Sequence, residues 1–590
     1  MKMLKSNFNV IKATFIKWLC LCLILALTLI TTSCNQASLT IPEEDDNASG
    51  AAAAPVSLLS LTHDLDTSSE QNICTAVNLT INGNTDNRTF SFTGLGATVI
   101  YSDNICTIPD PNPTMTNIQT NITVYVKNAT LELIMGSVTD GSISAIFTTE
   151  FKAFSIQPAT IAYEKNLLDG DQYYIANISV RRSTTNNILM TFFEHKFGCN
   201  TTGMYGKVRS MAFNGAIWDA APTTLRQTFG GLGSGCFSGT VDIAPFINGD
   251  ITNAVYRAND YDLHFGEYDF AAGMWPQSQS IEVIQNSSGG YSKIHNTSPS
   301  DLFIDIAKNG VTQNFTERIA NVWDGAPTTL TMSAAANIRE TFSDTDGNGN
   351  TIVVNGLTNA TFDVWHCSAG AGCIGPTILN PVSALISDRL DVTYSKNGHA
   401  MFVFHGNIGG INAPYAYHYD GDTWTGPTQW GDVQGWGINN FNVESDDDGN
   451  FIATYTETWC TGMFSAPCQK WNKYEKGVGF GAVASMFQEW YSGVSILRMS
   501  AEGHAVFVYG LDADTIKYVR YIAGAGWQPA AIAFDNTTFP AGGTNAVSAT
   551  AYLDVEYMNG PTGREFYMAF PMNYTGGGMF AYRLYYVTFE

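Results

Sequence analysis

The sequence predicts an all-β protein whose last two thirds form a β-propeller, because two kinds of repeat run through that part of the chain. A turn followed by a β-rich strand recurs as SKNGHAMFVFHG from Ser395, DDDGNFIATYTE from Asp446 and SAEGHAVFVYG from Ser500. A second mark, usually a tryptophan that opens a short outer strand, recurs at gaps of 57, 48, 50, 51, 56 and 47 residues. A period near 50 residues fits one four-stranded propeller blade.

One repeat shows how a blade is built. The segment 390–427 predicts a strand at Asp391–Tyr394, a hairpin turn, a second strand at His399–Gly406 and a third at Tyr415–Tyr419. A DGD turn then reverses the chain, and Trp424 opens the fourth, outer strand. β-branched and aromatic residues between short polar turns are the usual signature of such hairpins.

The number of repeats predicts eight blades in the segment 165–590, with seven as the alternative. The outer marks begin at Trp218, Trp275, Trp323, Cys373, Trp424, Phe480 and Trp527. A last unit from Asp554 to Glu590 stops after a third strand. Because a radial array must close or leave an open sheet edge, we predict that a strand near Ile156–Glu164 completes the last blade.

The N-terminal segment 1–33 has the features of an export signal. Four lysines precede the apolar run from Trp18 to Ile30, which is too short to span a bilayer as a helix. The run ends in TTSC and resembles a bacterial lipoprotein signal, although Thr31 stands where that family usually has a larger aliphatic residue. The resemblance implies lipidation at Cys34 and, since Asn35 follows, anchoring in the bacterial outer membrane. Ordinary secretory cleavage is the alternative.

Two further segments separate this signal from the propeller. Residues 34–70 begin with a stretch that carries four consecutive acids and lacks aromatic residues, which predicts a flexible tether. Residues 71–160 contain alternating strands such as NITVYVKN from Asn121, without the 50-residue period. This part resembles an Ig-like domain of bacterial surface lipoproteins, which implies a β-sandwich spacer with a Cys74–Cys106 disulfide.

The cysteines favour an oxidising compartment. Of 11 cysteines, Cys20 and Cys22 lie in the signal and Cys34 is the lipidation candidate, which leaves an even number. The remaining eight form local couples, Cys74 with Cys106, Cys199 with Cys236, Cys367 with Cys373 and Cys460 with Cys468. Such spacing makes disulfides geometrically easy in an exported protein. A zinc site is the alternative that these cysteines leave open.

Charge and composition limit the partners. The formal net charge is −24 at pH 7, which argues against nucleic acid and against direct docking on anionic lipid. Membrane attachment through the N-terminal lipid and a monomeric state are expected.

The repeats at Ser395–Gln429 and Ser500–Ala531 are similar to those of bacterial surface-lipoprotein propellers and, distantly, to sialidase-type propellers. That resemblance implies a fold and leaves activity open. No sialidase Asp-box, nucleophile elbow, metalloprotease helix motif or phosphate loop occurs. We therefore expect a binding protein whose propeller recognises a glycan or a protein, with a sialidase-like glycoside hydrolase or a structural envelope lipoprotein as alternatives.

Two sets of residues are candidates for a site. Asp344, Asp346 and Asn348 alternate before a glycine, as a Ca²⁺ loop requires, although a polar hairpin turn explains the same pattern. Loop aromatics could form a sugar-stacking or protein-contact surface, and the candidates are Trp436, Trp459, Trp490 and Tyr491. Packing between loops is the alternative for these aromatics.

Overall fold

The computed structural model describes 44 strands between Ser60 and Phe589, together with turn residues between them, most completely from 336 to 490. Of the strands before residue 159 it describes the backbone alone. No helix occurs among the described residues, which confirms the all-β class. It follows that no described helix is long and apolar enough to span a membrane.

Eight of the described strands precede the propeller and form two antiparallel sheets of four strands. The first sheet contains β1 (Ser60–His63), β2 (Thr75–Asn82), β6 (Asn121–Asn128) and β4 (Thr98–Tyr101), in that order. The second contains β5 (Thr114–Thr116), β3 (Thr89–Gly94), β7 (Leu133–Thr139) and β8 (Ser144–Glu150). Strand β1 lies inside the segment predicted as a tether, because the short alternating run SLTH pairs with β2.

The described strands from Thr160 onward form eight antiparallel sheets, which we number I to VIII along the sequence. Sheet I comprises β10 (Tyr173–Arg182), β11 (Asn187–Lys196), β12 (Tyr205–Asn214) and β13 (Thr223–Phe229). Sheet II comprises β14 (Thr240–Ile243), β15 (Ile251–Arg257), β16 (Leu263–Asp269) and β17 (Met274–Ile281). Sheet III comprises β18 (Ser292–Ser298), β19 (Asp301–Ile306), β20 (Thr312–Ile319), β21 (Val322–Trp323) and β22 (Thr328–Thr331).

Sheets IV to VI continue the same order. Sheet IV comprises β23 (Ile338–Thr345), β24 (Asn350–Leu357), β25 (Phe362–Ser368) and β26 (Gly372–Leu379). Sheet V comprises β27 (Leu385–Tyr394), β28 (Ala400–Ile408), β29 (Ile411–Tyr419) and β30 (Trp424–Gln429). Sheet VI comprises β31 (Ile438–Ser445), β32 (Phe451–Glu457), β33 (Cys468–Glu475), β34 (Gly479–Phe480) and β35 (Ala484–Gln488).

Sheets VII and VIII complete the series, and sheet VIII includes a strand from the start of the propeller segment. Sheet VII comprises β36 (Ser495–Met499), β37 (Ala505–Gly510), β38 (Thr515–Ile522), β39 (Gly526–Trp527) and β40 (Ala531–Asp535). Sheet VIII comprises β41 (Ala546–Ser548), β42 (Asp554–Met558), β43 (Glu565–Gly576), β44 (Met579–Phe589) and β9 (Thr160–Lys165).

The inner strands of these sheets form a closed circle, which identifies a β-propeller. Strand β10 contacts β14, and the contacts continue in order through β18, β23, β27, β31, β36 and β42, which contacts β10 again. Sheets I to VII then run outward by consecutive antiparallel hairpins, and sheet VIII does so from β42 to β44. The sheets therefore radiate from one axis. Hydrophobic clusters fill the spaces between consecutive sheets, for example Val354 with Phe402 and Ile452 with Phe507.

The second strand of each well-described sheet is mostly buried because both its faces are covered. In β28 the first seven residues are all buried, and in β32 every residue is. The outer strand β30, by contrast, has no fully buried residue. A continuous run of buried positions is what a strand between two neighbours requires.

The predicted closure by an N-terminal strand is confirmed. Strand β9 pairs antiparallel with β44, the last strand of the chain, with Thr160 opposite Tyr586 and Lys165 opposite Tyr582. Leu584 of β44 is fully buried in a cluster with Ile178 and other residues of sheet I. The Tyr582 hydroxyl also donates a hydrogen bond to Glu194 of sheet I. The edge that the last unit would otherwise expose is therefore paired.

The tryptophan period has a structural cause. The marks fall at or next to the outermost strand of a sheet. The indole rings of Trp275, Trp424 and Trp527 reach the third strand of the preceding sheet. Trp424 donates from Nε1 to His366 Nε2 at 3.1 Å, and the ring centroid of Trp527 lies 5.8 Å from that of Trp471. The period of these marks in the sequence thus reflects the regular spacing of side chains that pack between neighbouring sheets.

Two of the predicted disulfides lie within the described residues and are confirmed. Cys367 bonds to Cys373 across the register pair of β25 and β26, and Cys460 bonds to Cys468 at the start of β33. The other predicted couples, Cys74 with Cys106 and Cys199 with Cys236, and the lipidation candidate Cys34 lie outside the described residues.

Candidate functional site

Charged side chains converge at the propeller axis, where a hydrolase would need carboxylates beside an arginine. Arg181 of β10 contacts three carboxylates, Glu556 at 3.0 Å, Asp554 at 3.2 Å and Asp242 at 3.9 Å. Burial alone would lower the pKa of Arg181, but these carboxylates outweigh it and the pKa is raised. The guanidinium is therefore a fixed cation that holds three sheets together.

A second arginine completes this axial cluster. Arg498 of β36 contacts Glu444 at 2.8 Å and Asp554 at 3.8 Å, and its Nε donates to the Val555 carbonyl at 2.8 Å. Burial raises the pKa of Glu556, although both arginines oppose the shift. Each arginine therefore has at least two acceptors within the protein, and these acceptors lie on strands of other sheets. These charged side chains join the inner strands of different sheets around the axis.

Carboxylates also join neighbouring inner strands directly. Asp554 accepts a hydrogen bond from the Val180 amide at 2.8 Å, and Asp391 accepts one from the Val443 amide at 2.9 Å. Similar bonds run from the Ile294 amide to Asp242, from the Leu390 amide to Glu340 and from the Tyr394 amide to Asp344. A backbone amide that bonds to a charged acceptor gives a stronger interaction than a neutral pair, so these acids are structural.

A cleft between sheets I and II is the clearest candidate for binding a ligand. It has a volume of about 510 Å³ and opens between the outer strands, above the apolar contact of Phe193, Val208 and Tyr256. Its lining includes Asp219, Thr223, Thr224, Tyr256, Tyr268 and Trp275. That size, with aromatic walls and a few polar groups, is typical of small-molecule sites.

Among the described residues that line this cleft, Asp219 is the only carboxylate or basic group. Its Oδ2 accepts a hydrogen bond from the Ala212 amide at 2.9 Å, and its own amide donates to the Ala212 carbonyl at 2.9 Å. These bonds fix the exposed carboxylate on the rim. The described residues provide no hydrogen bond to Oδ1, which leaves that oxygen available for a ligand.

The aromatic wall of the cleft is held by close packing. Trp275 donates from Nε1 to the Ser210 hydroxyl at 2.9 Å, and its ring meets Tyr268 edge to face at 5.1 Å. A Cβ on Gly266 would come within 2.9 Å of the Trp275 ring, so glycine is needed there for the indole to lie on the sheet. Burial, assisted by Asp219 and Asp269, raises the pKa of Tyr268 to about 12, and its hydroxyl remains protonated.

The candidate Ca²⁺ loop has the geometry of a hairpin turn. Asp346 accepts hydrogen bonds from the amides of Asn348 at 2.8 Å and Asn350 at 3.0 Å. Asp344 instead bonds to the Tyr394 amide in the next sheet, so the two carboxylates have different partners. Asp446 holds Asn450 in the same way as Asp346 holds Asn350. Among the described residues, no group of three or more His, Cys, Asp or Glu side chains could hold a metal ion.

The predicted aromatic surface is described at one residue. Trp490 is 61% exposed and follows the outer strand of sheet VI. Trp436, Trp459 and Tyr491 lie outside the described residues. The cleft residues Trp275 and Asp219 are not among the predicted site residues, because the motifs that contain them recur as blade marks. The repetition of WDAAPTTL as WDGAPTTL from Trp323 was the signal that an acid accompanies the mark.

Comparisons with known proteins find similarity only in structure. No family model matches the chain, and no curated protein matches it significantly. Among solved structures, the BP39L lectin from Burkholderia pseudomallei aligns at 13% identity over 61% of this chain and 99% of that chain, with a TM-score of 0.39.

Two further solved structures show the range of these similarities. The Aleuria aurantia lectin, described as a six-bladed β-propeller with a novel fucose recognition mode, aligns at 11% identity over 64% of this chain and 98% of that chain, with a TM-score of 0.31. A puromycin hydrolase mutant aligns at 9% identity over 70% of this chain and 61% of that chain, with a TM-score of 0.35. Values this low identify neither a site nor a ligand in this protein.

Proposed function

We propose that the protein is a carbohydrate-binding propeller of eight blades, one for each of the sheets I to VIII. The observation that carries this proposal is the cleft between sheets I and II, where a fixed carboxylate faces an aromatic wall. A carboxylate oxygen can accept two hydroxyl hydrogens of a sugar, and an aromatic ring can cover its apolar face. Protein recognition, glycoside hydrolysis and a structural envelope role without a ligand are the alternatives.

The ligand class follows from the charge of the cleft. Asp219 is the one charged residue among the described residues of its lining, and the whole chain carries a net charge of −24. A sugar with its own carboxylate, such as a sialic or uronic acid, would meet a like charge without a compensating cation. We therefore propose neutral or cationic sugars as ligands.

The test is a glycan array probed with the full-length protein, followed by calorimetry on the best ligand. We expect neutral glycans to bind, and Asp219→Asn to weaken binding about 10-fold to 100-fold, the usual value of a hydrogen bond to a charged group. Asp447→Asn, which changes an exposed acid on sheet VI, is the matched control and should bind like the wild type. An array with no neutral binder, or equal affinities for the two variants, would rule out the cleft as a sugar site.

We also propose that the protein is a monomeric lipoprotein of the bacterial outer membrane. The support is the sequence around Cys34, the acidic tether that follows it, and the resemblance of 71–160 to an Ig-like spacer. Mass spectrometry of the N-terminal peptide of the exported protein tests the lipidation. A peptide that carries a free, unmodified Cys34 thiol would contradict it.

A further inference from the structure

Two histidines of sheet V face each other at the groove to sheet VI. His399 follows the hairpin turn before β28, and His418 lies on β29. The Nδ1 atom of His399 is 3.3 Å from the Nε2 atom of His418, with the ring planes 30° apart. Both residues are partly buried. The two nitrogens therefore lie within hydrogen-bond distance of each other, and which of them donates depends on the tautomer.

From this geometry we propose that His399 and His418 form a binding site for a divalent transition ion that prefers imidazole, with Zn²⁺ as the reference case. Zinc bonds to histidine nitrogen at about 2.0–2.1 Å, and two such bonds at a tetrahedral angle place the nitrogens about 3.3–3.4 Å apart. The observed separation of 3.3 Å fits that spacing. Since no third His, Cys, Asp or Glu joins the pair among the described residues, water molecules complete the coordination.

Tyr474 of sheet VI orients one of the two rings. Its hydroxyl lies 3.3 Å from His418 Nδ1, on the side of the ring away from His399. Metal-binding histidines usually have such a hydrogen-bond partner on their second nitrogen, which fixes the ring and its tautomer. In the metal-bound form His418 carries its proton on Nδ1 and donates it to the Tyr474 oxygen, so that Nε2 presents a lone pair to the ion.

The sequence repeat provides a matched control. His504 occupies the position of His399 in the hairpin of sheet VII, where Ser500 corresponds to Ser395. There the ring Nδ1 accepts a hydrogen bond from the Ala523 amide at 3.3 Å. Sheets V and VII thus both have a histidine at this position of the repeat. In sheet V this histidine lies beside His418, and in sheet VII it accepts a hydrogen bond from a backbone amide.

The experiment uses the full chain without a histidine tag, stripped with EDTA. Zn²⁺ is titrated by calorimetry and by competition with a chromogenic zinc indicator. We expect one ion per chain, at least 10-fold weaker binding in His399→Ala and in His418→Ala, and binding within 2-fold of the wild type in His504→Ala. Tyr474→Phe should weaken binding about 10-fold, which is the low end for loss of an outer partner.

A spectroscopic readout separates loss of a ligand from loss of fold. Electron paramagnetic resonance of bound Cu²⁺ should show two nitrogen donors in the wild type and one in either alanine variant, while circular dichroism confirms that each variant is folded. The proposal is overturned if the wild type binds Zn²⁺ no more tightly than His418→Ala, or if the copper spectrum contains fewer than two nitrogen donors.

Discussion

Replacing Asp554 by alanine should destabilise the propeller more than replacing any exposed acid. The Asp554 carboxylate accepts a hydrogen bond from the buried Val180 amide at 2.8 Å and pairs with Arg181 at 3.2 Å and Arg498 at 3.8 Å. The contact with Val180 and Arg181 joins sheet VIII to sheet I, where the ring closes. Without the carboxylate, a buried amide loses its acceptor and two arginines lose a counter-charge.

The magnitude follows from these losses. A buried donor without a partner costs about 1–3 kcal/mol, and breaking a buried ion pair from one side costs about 3–5 kcal/mol in all. The side chains of Arg181 and Asp554 are 15% and 11% exposed, so water screens the pair poorly. We therefore expect Asp554→Ala to lower the free energy of unfolding by about 3–5 kcal/mol.

The assay is equilibrium urea unfolding of the full chain at pH 7.5, followed by tryptophan fluorescence. Asp447→Ala is the control, because Asp447 pairs with Lys396 through side chains that are 46% and 63% exposed, and such a pair contributes below about 1 kcal/mol. Asp554→Asn should lie between the two, since the amide oxygen can still accept from Val180. If Asp554→Ala and Asp447→Ala had the same midpoint, the axial charges would not hold the ring.

Three further predictions concern stability. The pKa of His418 is lowered to about 4 in the fold, against about 6.5 when unfolded, so the unfolded chain binds the proton first. The free energy of unfolding should therefore decrease as the pH falls from 6.5 toward 4. In His418→Gln the urea midpoint should fall less over this pH range than in the wild type. An equal fall in the two proteins would refute this reasoning. Replacing Cys367 and Cys373 together by alanine should cost about 2 kcal/mol, because the disulfide closes a short loop, and an unchanged midpoint would refute that. Leu584→Ala should cost about 2–5 kcal/mol, because the side chain is fully buried at the closing sheet; a loss below 1 kcal/mol would show that the seam repacks.

Much of the fold could be predicted because residues close together in the sequence specify each repeat. A turn such as SKNG and a β-rich strand such as HAMFVFHG specify one hairpin, and the tryptophan marks specify the distance to the next sheet. The closing strand could also be predicted, because the last unit stops after three strands and an edge must be paired. These inferences need only neighbours in the chain.

The candidate site needed contacts that no local pattern reveals. Arg181, Asp242 and Asp554 come from three different sheets and meet only when the ring closes. The cleft likewise depends on how Trp275 of sheet II rests against Ser210 of sheet I. The turn at Asp346 shows that one sequence pattern can fit two structures. Acidic and amide residues at alternate positions can bind an ion, or they can accept hydrogen bonds from backbone amides of the same turn, as Asp346 does.

The pairing of β9 with β44 places the two ends of the propeller segment side by side, with Thr160 opposite Tyr586. The order in which the sheets are encoded is therefore not imposed by their arrangement in space. A gene that joined these ends and began instead between two other sheets would encode a circular permutant with the same neighbours throughout. Chain connectivity alone decides which sheet comes first in the sequence, because the closed ring of sheets has no first member.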